Sequence, residues 1–249
     1  MAEKQLNEAG SNQTTDKIPV GISSCLLGDR VRYDGGHKAN PVICEILGKT
    51  FEFRKFCPEL DIGLGVPRKP IRLTRQESGE IRCLAIDDSS LDYTDALTRC
   101  ANAQQHWHQK LCAYILKSNS PSCGMGRVGV FQGDGTIGEG EGVYAAQLME
   151  NYPYLPVEEE GRLDDPLIRE NFIQRALVVR SWHRLIEQGL TLAGLRDFHA
   201  GQELTVMSHD QMNCHRLREL VDETNTDNLQ ENGARYLLQL MRALKKPDE

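Results

Sequence analysis

Short apolar runs that end in loops rich in glycine, proline and serine dominate the first two thirds of the chain. Three of these runs have the length and the β-branched or aromatic content of strands: IPVGISS, TFEFRKFC and AYILKSN. The stretch IRLTRQESGEIRCLAID predicts a hairpin around Ser78 and Gly79, because glycine adopts the positive φ that tight turns require. A last short strand is expected at LPV, and GDGTIGEGEG is interpreted as a glycine-rich link.

Helical patterns alternate with these strands. NPVICEILG predicts a short helix with Pro41 near its first turn, a longer helix is predicted from about Asp92 to Cys112, and VYAAQLMENY predicts a third. This order predicts an α/β fold with a parallel or mixed sheet flanked by helices, in a Rossmann-like three-layer arrangement. In such sheets ligands bind beyond the carboxyl ends of the strands.

From Asp164 onward the pattern is helical alone, and Asp164 and Asp165 before Pro166 form a favourable helix start. We therefore expect three regions. Residues 1–17 contain almost nothing apolar and are expected to be a disordered tail. Residues 18–162 form the α/β domain, and residues 163–249 form a small all-helical appendage at the C-terminus.

Composition limits the function classes. Of the 249 residues, 39% are hydrophobic and 26% are charged, which is typical of a globular protein, and the net charge of −7 argues against a strongly basic nucleic-acid surface. Arginine and lysine do gather in FRKFC, VPRKPIRLTRQ and LIRENFIQRALVVRSWHRLIEQ, which are either solvated surfaces or a local patch for an RNA backbone. No apolar run is long enough for a membrane span or a secretory signal, so we expect a cytoplasmic protein without membrane association.

Cysteine placement carries the first chemical signal, because eight cysteines in a reducing compartment are expected to be thiols or metal ligands. Cys25, Cys57 and Cys123 each follow a predicted strand in a loop rich in glycine, proline or serine. Three thiolates make an incomplete ligand set with one position left open for chemistry. Zinc is one possible occupant, but no CxxC pair is present, and single cysteines on separate loops favour an iron–sulfur cluster. The remaining five are interpreted as buried apolar residues: Cys44, Cys83, Cys100, Cys112 and Cys214.

Four segments make the chain recognisable: SSCLLGDRVRYDGG, FCPELDIGLGVPRKP, ILKSNSPSCGMG and GEGEGVYAAQL. In this order, over roughly residues 18 to 160, they resemble the thiouracil desulfidase (TudS-like) family. The tail, with LRDFHAGQELTVMSHDQMNCHRLRELV and GARYLLQLMRALKK, resembles part of the helical accessory domain of the RudS-type tRNA 4-thiouridine desulfidases. That domain is expected to be incomplete here.

The resemblance implies a four-iron four-sulfur cluster held by Cys25, Cys57 and Cys123, whose open iron takes sulfur from a thiocarbonyl base. It also implies functional roles for Glu59 and Ser120. The residue types agree, because a carboxylate could deprotonate the attacking water and a hydroxyl could orient it. Each has a structural alternative: Glu59 could cap amides of the next loop, and Ser120 could be a turn hydroxyl ahead of Pro121.

Weaker candidates for substrate contact are Tyr33, Asp34, Lys117 and Ser122. Tyr33 offers a ring for a stacked pyrimidine, and Lys117 could contact a substrate phosphate or the base carbonyl. An Asx-type turn at Asp34 and Gly35 or a solvated strand-end lysine would explain the same letters.

The leading functional hypothesis is therefore a desulfidase that converts 4-thiouridine in tRNA to uridine. The same chemistry on free 2-thiouracil or a related thiobase is the first alternative. A non-catalytic iron–sulfur redox sensor or interaction protein is an alternative of another class. No obligatory protein partner is inferred.

Overall fold

The computed structural model describes residues 17–245. The predicted disordered tail lies outside them apart from Lys17. The strands are β1 (Ile18–Ser23), β2 (Phe51–Phe56), β3 (Ile71–Arg75), β4 (Ile81–Ala85), β5 (Ala113–Leu116), β6 (Val128–Gln132), β7 (Gly135–Gly140) and β8 (Val157–Glu159). The helices are α1 (Pro58–Asp61), α2 (Thr94–Ala103), α3 (Gln105–His108), α4 (Val143–Asn151), α5 (Pro166–Glu187), α6 (Leu192–His209), α7 (Gln211–Asp222) and α8 (Leu229–Leu244).

A four-stranded parallel sheet with the order β2-β1-β5-β8 confirms the predicted α/β class. All residues of β1 and β5 are buried, as expected for strands covered on both faces. The three strands that precede the cysteine loops are therefore neighbours, and their carboxyl ends meet at one edge.

A second sheet with the order β4-β3-β6-β7 was not expected. Strands β3 and β4 form the predicted antiparallel hairpin, and Gly79 in its turn has a φ of 89°. Strands β6 and β7 were not predicted: no element was assigned to residues 128–132, and GDGTIGEGEG, which contains β7, was interpreted as a link. Glycine has a low strand propensity, and β7 is an exposed edge strand whose formation depends on pairing with β6.

The long helix predicted from Asp92 to Cys112 is wrong in length. The chain turns at Gln104 between α2 and α3, and helix α3 ends at His108. Beyond it, the Cys112 amide donates a hydrogen bond to the carbonyl of Pro19 in β1 over 2.8 Å. Residues 109–112 are therefore not helical, because the chain here begins to pair with the parallel sheet. The helix predicted around Pro41 is also irregular, with a π-turn at Val42–Ile46 and a 3₁₀ turn at Leu47–Lys49.

The C-terminal helices begin where the sequence predicts, because the Asp165 carboxylate accepts a hydrogen bond from the Leu167 amide at the start of α5. Phe172 of α5 meets the edge of Phe51 in β2 at 5.9 Å between ring centres. The buried core is continuous from β1 and β2 through α5 to α8. The helical region thus packs directly on the parallel sheet. No helix among residues 17–245 is long and apolar enough to cross a membrane.

Candidate active site

The three cysteines predicted as ligands line one cavity of about 190 Å³ at the carboxyl edge of the parallel sheet. Cys25 lies in a 3₁₀ turn directly after β1, and Cys57 precedes α1 directly after β2. Cys123 lies in the loop after β5, which is tied to β1 where the Lys117 amide donates to Ser23 Oγ over 3.0 Å. Adjacent parallel strands thus bring together residues almost 100 positions apart.

The thiols are held in an environment that opposes their ionisation. Cys25 and Cys123 are buried and Cys57 is half-buried. Burial, followed by the neighbouring Cys57 thiol, raises the pKa of Cys25 to about 11. Burial also raises the pKa of Cys57. The pKa of Cys123 is raised by burial first, and then by the negative charges of Glu59 and of the other two cysteines.

These three cysteines would ionise together only with a cationic centre between them. The three cysteine sulfurs are soft donors, and they therefore fit a soft metal centre. Within the described residues, no group of three or more histidine, cysteine, aspartate or glutamate side chains is arranged to hold one metal ion.

Glu59 and Ser120 are joined by a string of hydrogen bonds through Ser122. The hydroxyl of Ser122 donates to Glu59 Oε1, and its oxygen lies 3.1 Å from Ser120 Oγ. The Cys123 amide donates to Ser120 Oγ over 3.1 Å. Since the single proton of Ser122 points to Glu59, Ser120 is left to donate to Ser122. The string therefore has one direction, from Ser120 through Ser122 to the carboxylate.

Arg68 is a residue of this site that the sequence analysis did not single out. Its Nε and Nη2 donate to Glu59 Oε2 over 2.8 and 2.5 Å, and only 6% of its side chain is exposed. Arg68 belongs to the basic run VPRKPIRLTRQ, which was interpreted as either a solvated surface or a local patch for an RNA backbone. The signal available was its position just after the glycine-rich loop that follows the CPE motif.

The weaker candidates are placed differently from one another. Tyr33 is 42% exposed and lines the cavity, and the Arg32 guanidinium lies 5.5 Å from its ring centre. Asp34 accepts a hydrogen bond from the Gly36 amide, which forms an Asx turn. Lys117 also lines the cavity, but its ammonium is bound to Glu160 and to Ser118.

Ser122 is fully buried, and its hydroxyl is engaged by Glu59. This arrangement favours a role between Ser120 and Glu59 over direct contact with a substrate.

The loop that carries Ser120 and Cys123 is held by its backbone. Asn119 has a φ of 54°, a left-handed conformation that asparagine tolerates better than most residues. Gly142 donates its amide to the Gly124 carbonyl over 2.7 Å, and the Val143 amide donates to the Pro121 carbonyl over 3.0 Å. The amino end of α4 therefore supports the cysteine loop, and this close approach explains the glycine at position 142.

The segment that holds these residues is similar in sequence to known proteins. Residues 20–160 match the family model described as 2-thiouracil desulfurase. The chain belongs to this family. It is 30% identical over 145 residues to the uncharacterized protein YbbK of Bacillus subtilis (strain 168), across 55% of this chain and 93% of that protein. It is also similar to the solved structure of a [4Fe-4S]-dependent thiouracil desulfidase, TudS, with 32% identity, a TM-score of 0.49, and coverage of 59% of this chain and 94% of that one.

The family assignment confirms the resemblance of roughly residues 18 to 160 to the thiouracil desulfidase family. All the residues discussed at the cavity fall inside the matched segment, and the helices α5 to α8 follow it.

Proposed function

We propose that this protein is an iron–sulfur-dependent desulfidase that replaces the thiocarbonyl sulfur of a thiolated pyrimidine by oxygen. One observation carries the proposal: three cysteine thiols line one cavity together with Ser120 and Glu59, which are joined by hydrogen bonds through the buried Ser122 hydroxyl. Family membership supports the reaction class. Water supplies the oxygen, and the sulfur leaves the base as sulfide, so that thiocarbonyl plus water becomes carbonyl plus hydrogen sulfide.

Cys25, Cys57 and Cys123 would hold a [4Fe–4S] cluster. When bound, it supplies a thiophilic iron with an open position for the sulfur of the base. Three cysteine ligands match this requirement, because a fourth would close the position. Burial of the thiols would protect the centre from water, and the positive charge of the irons would compensate the thiolates that burial alone disfavours.

The protein's own residues would move the protons. A proton leaving Ser120, or a water bound to it, can pass to Ser122 while the proton of Ser122 passes to Glu59 Oε1. Glu59 is thus the final acceptor and Ser122 the link. The Cys123 amide fixes Ser120 by donating to its oxygen, so the hydroxyl stays beside the third thiol.

The substrate class is proposed as 4-thiouridine in tRNA, with free 2-thiouracil as the alternative. The helical region beyond residue 160 supports tRNA, because it resembles an accessory domain of tRNA desulfidases. The family name supports the free base. Both substrates are pyrimidine rings that differ in the carbon that carries the sulfur, and the exposed Tyr33 ring at the cavity could stack on either.

The test is an anaerobic assay on reconstituted protein with three substrates: thiolated tRNA, the 4-thiouridine nucleoside and free 2-thiouracil. Loss of the thiocarbonyl absorbance and release of sulfide are measured for the wild type, C123A and C44A. Cys44, which was expected to be buried, is an exposed thiol outside the cavity lining and serves as the matched control. We expect activity in the wild type and C44A and none in C123A. Equal activity in C123A and the wild type would refute the cluster-dependent reaction.

A further inference from the structure

Arg68 contacts Glu59 in a geometry that leaves the carboxylate little freedom. Two of its N–H groups converge on Oε2, while Ser122 occupies Oε1. A carboxylate held at both oxygens by groups from different loops cannot rotate without breaking one of them. The side chains of Arg68 and Glu59 are only 6% and 14% exposed, so water competes weakly for these bonds.

The guanidinium is itself anchored by backbone. Its Nη1 donates to the carbonyls of Val31 and Gly65, each over 2.9 Å, and the Arg68 amide donates to the Tyr33 carbonyl over 2.9 Å. The contacts to Val31 and Tyr33 join Arg68 to the loop that follows Cys25, and the contact to Gly65 fixes its guanidinium against its own loop after α1. The arginine therefore has a defined position from which to orient the carboxylate, which a flexible surface arginine lacks.

Other cations near the cavity are engaged elsewhere. Lys117 pairs with Glu160, and Arg32 lies 3.7 Å from Asp34. Of the ion pairs among residues 17–245 given by the structure, the one that involves Glu59 is formed by Arg68. Among residues 17–245, removing Arg68 would leave the Ser122 hydroxyl as the remaining side-chain hydrogen-bond partner of this largely buried carboxylate.

We propose that Arg68 is a positioning residue, which acts through Glu59 by holding its carboxylate in line with Ser122 and Ser120. This inference rests on the proposed desulfidase function. It gives the arginine of VPRKP a role inside the site, distinct from contact with an RNA backbone.

A double-mutant cycle tests whether Arg68 acts through Glu59. Iron content, kcat and KM are measured for the wild type, R68Q, E59Q and the R68Q/E59Q double variant. We expect R68Q to keep the iron content of the wild type and to lower kcat about 10²-fold with little change in KM, because misplacing a reacting group by about 1 Å costs this much. In the E59Q background the same change should lower kcat by less than about threefold, since the group being positioned is already disabled.

The matched control is R82Q. Arg82 also binds carboxylates, namely Asp92, Glu80 and Asp95, but it lies in the second sheet and outside the cavity lining. The R82Q variant should keep the kcat of the wild type. If R68Q fails to fold, R68K replaces it in the cycle, because it keeps the positive charge but cannot donate two bonds in the fixed geometry of arginine.

A second readout does not depend on activity. In protein without a cluster, the combined loss of melting temperature in R68Q/E59Q should be smaller than the sum of the two single losses, because the two side chains interact. Additive losses of melting temperature, or an undiminished 10²-fold effect of R68Q in the E59Q background, would overturn the positioning role. A wild type that acts on no thiolated pyrimidine would instead overturn the proposed function, and the melting cycle would still report on the pair.

Discussion

Substituting Gly142 with alanine should displace the loop that carries Cys123. A methyl group added at Gly142 would lie 2.6 Å from the Ser122 carbonyl carbon, 2.7 Å from the Cys123 nitrogen and 2.8 Å from the Gly124 nitrogen. All three are backbone atoms, so no side-chain rotation can relieve the clash. Because comfortable contacts between such atoms lie near 3.5 Å, one of the two segments has to move by roughly 1 Å.

The cost follows from this displacement. Inserting a methyl group into a packed region typically costs about 1–3 kcal/mol. For a chain of this size, a loss of about 2 kcal/mol lowers the melting temperature by about 4–8 °C. The shift also strains the bonds from the Gly142 and Val143 amides to the cysteine loop. Since Cys25 and Cys57 stay in place after their own strands, the Cys123 thiol moves relative to them, and cluster retention should fall.

The assay compares G142A with G138A. Gly138 lies four residues earlier, in β7, and a methyl group there meets nothing within 4 Å. The melting temperature of each cluster-free protein and the iron content after anaerobic reconstitution are measured. We expect G142A to lose stability and iron, and G138A to behave as the wild type. If both variants match the wild type in both measurements, the backbone contact does not support the cysteine loop.

Four further predictions test other parts of the structure. C123S should abolish iron binding while C44S retains it, as measured by iron content; equal contents would remove Cys123 from the ligand set. S122A should lower kcat about 10²-fold at unchanged iron content, because it interrupts the proton path, and an unaltered kcat would contradict that path.

Burial lowers the pKa of His108 from 6.5 to about 4, so the unfolded chain binds the proton more tightly. This contribution to stability, up to about 3 kcal/mol, is present above pH 6.5 and is lost as the pH falls towards 4. The free energy of unfolding in urea, measured at pH 7.5 and pH 5, should change less with pH in H108Q than in the wild type. An equal change in both proteins would argue against a contribution from His108. F172A should cost about 3–5 kcal/mol in one cooperative unfolding transition, since Phe172 is 1% exposed in the shared core; a loss below about 1 kcal/mol would mean that the helices fold independently.

Much of the α/β region was predictable because its signals are local. Strand-like runs preceded all three cysteine loops, the turn at Gly79 needed a positive φ, and Asp165 before Pro166 marked the start of α5. Each of these depends on a few consecutive residues and on the backbone preferences of one amino acid. The second sheet was missed for the converse reason: β7 is rich in glycine and becomes a strand by pairing with β6.

By itself the sequence determined which residue types surround each cysteine and that the three loops follow strands of one sheet. Only the tertiary structure decided how those loops face each other. It placed Ser122 in hydrogen-bond contact with Glu59, 63 positions away in the sequence. It also placed Arg68, part of a basic run expected at the surface, in the wall of the cavity beside Glu59. Hydrogen bonds between loops depend on where each backbone enters and leaves the sheet, and no local pattern of polar and apolar residues encodes that geometry.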